Sequence, residues 1–157
     1  LWVDGGVIGH NPSTMGGTWG FLWVSQSKIL RRSSGVIEPS DTGELLVSNN
    51  TTELLAAVRA LESVPDNWSG TLFTDSLITL HRLHKSPIWK LPSFLCDRVE
   101  AIPYRRRAYP FQVKLVAGHP TKAELRAGVA DRNGLPVSRF NVICDKMCSK
   151  LAASWGK

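Results

Sequence analysis

The sequence predicts a mixed-sheet α/β domain, and three observations carry that prediction. Strand-like runs rich in β-branched and aromatic residues crowd the first 37 residues, a helical apolar period follows over Glu53–Leu61, and strand-like and helical segments then alternate to the end. A length of 157 residues with 43% apolar residues suits one buried core, so residues 1–157 are expected to form a single domain.

Leu1–Val3 is a short apolar run that meets Asp4-Gly5-Gly6, and it reads as a strand ending in a turn. A Gly/Pro/Asn/Ser-rich loop extends to Gly17. Trp19–Ser25 and Ile29–Ile37 are the next two strands, joined through Gln26-Ser27-Lys28 as an antiparallel hairpin. After the polar stretch Glu38–Asn50, Leu54, Ala57, Val58 and Leu61 fall at helical spacing, with Ser48, Asn49, Asn50, Thr51 and Thr52 as candidate N-caps. Pro65-Asp66-Asn67 breaks the chain before Thr71–Thr74, a strand terminating at Asp75. Helices are predicted through Leu77–Leu83 and over Ser93–Tyr104 up to the disturbance at Pro103. Phe111–Val116 alternates as a strand, a loop runs from Gly118 to about Phe140, and the last helix spans about Val142–Ala153.

Composition narrows the functional class. Three Cys cannot all pair, and Cys96, Cys144 and Cys148 contain no Cys-x-x-Cys, so neither a disulfide framework nor a structural zinc site is indicated. A reducing, cytoplasmic setting is expected. No run approaches the roughly 20 apolar residues of a bilayer span, so no membrane partner is expected. Residues 1–80 carry a net charge of −4 and residues 81–157 a net charge of +10. In the basic half, His81, Arg82, His84, Lys85, Lys90, Arg98, Arg105, Arg106, Arg107 and Lys114 are interleaved with Trp89, Phe94, Tyr104, Tyr109 and Phe111. Cations beside flat rings suit a polynucleotide groove, and the same residues suit a solvated helix face over core aromatics. His81 and His84 lack a third ligand nearby and read as surface; Cys144 and Cys148 read as buried thiols flanking Asp145.

Four carboxylates hold special places: Asp4 and Asp75 at strand ends, Glu53 in the first turn of the long helix, and Asp145 at the start of the last one. In open α/β sheets strand C-termini and helix N-termini face one crevice, so these acids can converge. Oxygen-only ligands suit Mg²⁺ or Mn²⁺, and a pair of such ions can drive phosphodiester hydrolysis. Taken singly, each acid also suits a cap, a turn or the surface.

The residue contexts add a resemblance. Asp4-Gly5-Gly6 with Asn11-Pro12, Ser48-Asn49-Asn50-Thr51-Thr52-Glu53-Leu54-Leu55-Ala56-Ala57, Leu72-Phe73-Thr74-Asp75-Ser76, Val116-Ala117-Gly118-His119 and Asn141-Val142-Ile143-Cys144-Asp145 resemble, in order, the signature blocks of type 1 ribonuclease H. The likeness runs from Leu1 to about Ala153. It implies the ribonuclease H-like fold, a five-stranded mixed sheet of three antiparallel strands and then parallel strands, flanked by helices. It also implies an endoribonuclease that hydrolyses the RNA strand of RNA–DNA hybrids with two Mg²⁺ or Mn²⁺ ions and leaves 5′-phosphate and 3′-hydroxyl ends. Asp4, Glu53, Asp75 and Asp145 then stand as metal-binding catalytic acids, and His119 as the mobile loop histidine assisting proton transfer or product release. Asn11, Ser48, Asn49, Asn50 and Asn141 stand as substrate-binding residues, although Asn in turns and Ser before helices also form ordinary local structure.

The likeness weakens in three places. His119 and Asp145 are 26 residues apart, which predicts an enlarged loop whose Lys122, Arg126, Arg132 and Arg139 contact substrate or keep the loop soluble. Leu77 stands where many relatives carry a polar Gln. The span His81–Pro92 corresponds to a basic protrusion on the DNA strand but is short and proline-marked, leaving Lys85, Trp89 and Lys90 as its remnant, with Trp89 equally suited to capping the core. A monomer is expected unless the chain belongs to a larger polypeptide. Two alternatives stay open: the nuclease domain of a reverse transcriptase, and a DNA-cutting resolvase or transposase of the same fold. A binding module without chemistry is disfavoured by the presence of all four acids.

Overall fold

The computed structural model describes residues 1–85 and 91–155. Trp89 and Lys90 of the expected protrusion lie outside them, as does the side chain of Lys85. Five strands, β1 (Trp2–Val7), β2 (Gly17–Ser25), β3 (Lys28–Ile37), β4 (Thr71–Thr74) and β5 (Gln112–Leu115), form one sheet in the order β3-β2-β1-β4-β5. β1, β2 and β3 pair antiparallel, whereas β1–β4 and β4–β5 are parallel. This is the mixed sheet that the sequence and its resemblance imply.

β1 does not turn at Asp4-Gly5-Gly6, as expected from the glycines. It continues to Val7, with Gly5 opposite Trp19 and Gly6 opposite Thr18 of β2. Gly5 serves close packing instead: a Cβ there would stand 2.6 Å from the carbonyl carbon of Thr52. The β2–β3 hairpin turns on Gln26 (φ 50°) and Ser27 (φ 63°), the two left-handed residues that a tight turn between twisted strands requires.

The helices are α1 (Pro39–Thr42), α2 (Asn49–Ser63), α3 (Leu77–Lys85), α4 (Ser93–Arg105), α5 (Lys122–Ala127) and α6 (Arg139–Ser154). α2 begins four residues earlier than its apolar period suggests. Ser48 is its N-cap, its hydroxyl accepting from Thr51 N, and Asn11 Oδ1 accepts from Asn49 N at 3.0 Å. Glu53 therefore sits in the second turn rather than the first. Pro103 is accommodated inside the last turn of α4, where Arg106 N closes onto Ile102 O at 3.0 Å. Two short helices, α1 and α5, occupy stretches expected to be loop.

α2 and α6 cover opposite faces of the sheet. The Trp19 ring lies under Arg59 of α2, while a Cβ on the next residue, Gly20, would meet Cys148 Sγ of α6 at 3.2 Å. Leu54, Leu55, Ala57, Val58 and Leu61 of α2 are buried against Val3, Phe21 and Leu72 of the sheet and Leu95 and Val99 of α4. Side chains of this size each contribute about 1.5–3 kcal/mol on full burial, which fixes α2 and the strand ends beside its N-terminus. Cys144 and Cys148 are buried free thiols, as expected. Their sulfurs point at the backbone oxygens of Gly20 (3.3 Å) and Asp4 (3.5 Å), and burial pushes both thiols up. Among the described residues, no helix is long and apolar enough to cross a membrane.

Candidate active site

The strand register brings the first two acids level. Trp2 of β1 pairs with Phe73 of β4 in parallel, and their rings stack at 4.1 Å, so Asp4 and Asp75 follow two residues on along adjacent strands. Glu53 reaches them because Gly5 has no side chain to hold off the first turns of α2. Carboxylate oxygens of Asp4, Glu53 and Asp75 lie within 4.8 Å of one another. Asp145 is not at the start of the last helix, as expected, but in the second turn of α6, because that helix begins at Arg139; it lines the same cleft but stands outside that group of three. The cleft has a volume of ≈ 280 Å³, and Asn49, Asn50, Ser76, Gly118 and His119 complete its wall.

The electrostatics of the cluster are unfavourable as it stands. Burial first, then the charges of Asp75 and Asp145, push the Asp4 carboxyl up to about 8. Burial, followed by the Asp4 and Asp75 charges, holds Glu53 well above its ordinary value. Asp75 is raised by burial too, while a hydrogen bond from Asn141 and the nearby His119 pull it back. Like charges held this close favour protonation or a shared cation. Glu53 Oε2 is buried and has no hydrogen-bond partner among the described residues. An orphaned carboxylate oxygen in an all-oxygen donor set fits a hard divalent cation such as Mg²⁺ or Mn²⁺.

Structural comparison places the fold. The N-terminal RNase H domain of Rv2228c from Mycobacterium tuberculosis, solved as a fusion with maltose-binding protein, superposes with a TM-score of 0.61 over 97% of this chain and 91% of that one, at 19% identity. The chain has the ribonuclease H fold. LC11-RNase H1, solved in complex with an RNA/DNA hybrid, superposes with a TM-score of 0.53 over 73% of this chain and 82% of that one, also at 19% identity. No protein-family model and no curated protein sequence matches the chain.

On the ribonuclease H fold of this chain, the other residues singled out in the sequence take different places. Asn49 and Asn50 line the cleft, with Asn11 and Ser48 beside them, both spending their oxygens on the start of α2. Asn141 does not reach the surface. It is 1% exposed, and its Nδ2 donates to Ala117 O at 3.0 Å, so it faces Asp75 and the β5 end rather than a ligand. Arg106 takes neither place open to it in the sequence, a polynucleotide groove or a solvated helix face. It is 5% exposed and donates to the carbonyls of Leu61, Val64, Pro65 and Trp68, while Phe94 and Phe111 pack on the core. His81 and His84 are exposed, and neither belongs to a metal-holding group among the described residues. Arg139 lies over the Phe140 ring and donates to Ser27 O, and Arg132 pairs with Glu124, whereas Lys122 and Arg126 are exposed.

Two contributors escaped the sequence reading. Gly5 admits α2, and Gly118 passes so close that a Cβ there would stand 3.3 Å from Asp75 Oδ2. Both glycines flank predicted acids or the histidine in the signature blocks, which is the signal that a backbone must come close.

Proposed function

We propose that this chain is an endoribonuclease that hydrolyses the RNA strand of RNA–DNA hybrids. The observation that carries the proposal is the convergence of Asp4, Glu53 and Asp75, with Asp145 on the same cleft, around the unpartnered Glu53 Oε2. The fold it shares with a ribonuclease H1 solved on an RNA/DNA hybrid supports the choice of substrate.

Asp4, Glu53, Asp75 and Asp145 are the residues that would hold two Mg²⁺ or Mn²⁺ ions. When bound there, such ions would supply the Lewis acidity needed to activate a water and to stabilise the 3′ leaving oxygen, a chemistry that would leave 5′-phosphate and 3′-hydroxyl ends. The chain's own groups do the rest. Asn49 and Asn50 present side-chain amides at the cleft wall, where they can donate to and accept from the 2′-hydroxyl that separates RNA from DNA. His119 is exposed on the same wall near Asp75, and its imidazole can carry a proton between the cleft and solvent. Asn141 steadies Asp75 from below, and Gly118 keeps the space beside its Oδ2 narrow.

The test compares labelled RNA–DNA hybrid, double-stranded RNA, single-stranded RNA, duplex DNA and a four-way DNA junction, each with and without Mg²⁺. Cleavage confined to the RNA of the hybrid and abolished by chelation is expected. Cleavage of duplex DNA or four-way junctions in preference to the hybrid would move the chain to the DNA-cutting alternative.

A further inference from the structure

The interval after His119 reads as open loop in the sequence, yet it has an internal frame centred on one carboxylate. Thr121 caps α5 and exchanges two hydrogen bonds with Glu124: Thr121 N donates to Glu124 Oε1 at 2.7 Å, and Glu124 N donates to Thr121 Oγ1 at 3.1 Å. A capping box ends there. Here the second carboxylate oxygen goes further, accepting from the backbone N–H of Arg132 at 2.5 Å, while the Arg132 guanidinium donates to Oε1 at 3.3 Å. Glu124 thereby joins the two ends of the stretch 121–132. Asp131 Oδ1 shapes the turn that follows, accepting from Asn133 N and Leu135 N, both at 2.9 Å.

His119 sits between two held positions. Two residues before it, Ala117 N donates to Pro136 O at 2.9 Å and Ala117 O accepts from buried Asn141. Two residues after it, Thr121 is held by Glu124. α5 buries none of its residues, so no apolar core fixes this side of the frame. Backbone bonds tie 129–131 to 135–137, with Asp131 N donating to Leu135 O at 2.9 Å and Val137 N to Val129 O at 3.2 Å, and the polar bonds of Glu124 join Thr121 to that braced end.

We infer that Glu124 is a positioning residue: by tying Thr121 to Arg132 it holds the His119 segment in place beside Asp75. The inference rests on the nuclease reading above and replaces the expectation of a mobile histidine with a clamped one. Glu124 touches neither substrate nor the acid cluster, so it acts only through the segment it holds. Removing it frees His119 to leave the cleft wall without altering the carboxylates.

The experiment measures hybrid cleavage and backbone hydrogen exchange for wild type, Glu124→Ala, Glu124→Gln, His119→Ala and the Glu124→Ala/His119→Ala double variant. Glu124→Ala is expected to lower kcat about tenfold or more, toward the His119→Ala value, with KM within about twofold. Exchange should rise about tenfold or more across residues 119–132 while α2 and β1 stay protected. Glu124→Gln keeps the chain length and one acceptor oxygen, and its kcat should fall between the two. In the His119→Ala background the Glu124→Ala change should cost less than about twofold, because the two residues act as one unit. Full wild-type kcat in Glu124→Ala, or an equal loss with and without His119, overturns the inference while leaving a hybrid-cutting enzyme intact. A wild-type protein that does not cut hybrid overturns the nuclease reading itself, and this role with it.

Discussion

A Cβ on Gly5 would stand 2.7 Å from the backbone nitrogen of Glu53, closer than a real Cβ contact can come. The absence of a side chain at position 5 is what lets α2 bring its carboxylate to Asp4 and Asp75. Gly5→Ala must push the first turns of α2 outward. The variant is expected to lose about 1–3 kcal/mol in urea unfolding and to weaken Mn²⁺ binding at least about tenfold, as followed by titration calorimetry. Unchanged metal affinity in a folded Gly5→Ala protein would contradict the packing account.

Stability without metal should fall as pH rises. The Asp4 carboxyl is raised to about 8 in the native chain from 3.8, so between these values the native state holds more protons than the unfolded one. Glu53 and Asp75 act in the same direction. Below the unfolded value the penalty is absent, and above the folded value it is fully present. Asp4→Asn removes a buried charge and is expected to raise the metal-free Tm at about pH 8 by roughly 3–8 °C, with little change near pH 4. Saturating Mg²⁺ should stabilise the wild type at pH 8 and the variant far less. A Tm of the metal-free wild type that rises from pH 5 to pH 8 would have the wrong sign.

Asn141 distinguishes positioning from substrate contact. Its burial and its bond to Ala117 predict that Asn141→Ala lowers kcat about tenfold to a hundredfold with KM nearly unchanged, since it orients Asp75 and the segment leading to His119. A raised KM with unchanged kcat would restore the residue to the substrate surface.

Arg106 should matter to the fold and not to the nucleic acid. Its guanidinium satisfies four backbone oxygens at and after the C-terminal end of α2, at 2.7–3.1 Å. Arg106→Ala leaves these carbonyls unpaired and is expected to cost about 3–5 kcal/mol by chemical denaturation. Hybrid affinity of the fraction that stays folded should match wild type.

How far the sequence is legible follows from how local each signal is. Thr71–Thr74 is legible to the residue because a short β-prone run is bounded by Gly70 on one side and Asp75 on the other. The start of α2 is not, because Asn49, Asn50, Thr51 and Thr52 are weak helix formers that the Ser48 cap and the Asn11 carbonyl recruit. Asp4-Gly5-Gly6 reads as a turn since the use of Gly5, admitting a helix from 48 residues away, is visible only in three dimensions. The approach of Asp4, Glu53 and Asp75 is legible from the strand ends and the helix that carry them, whereas the burial of Asn141 and Arg106 is not, because an amide and a guanidinium look alike in sequence whether they face solvent or buried carbonyls. The Glu124 frame was missed because its Arg132 partner lies eight residues on, beyond any capping pattern.

The most direct test of the central claim is calorimetric titration of Mn²⁺ into the wild-type protein and into Asp75→Asn, with hybrid cleavage followed on the same samples. The cluster of carboxylates predicts saturable binding to the wild type, at least about tenfold weaker binding to the variant, and loss of cleavage with the fold retained. A folded Asp75→Asn protein that binds Mn²⁺ as tightly as wild type and still cuts the hybrid would contradict it.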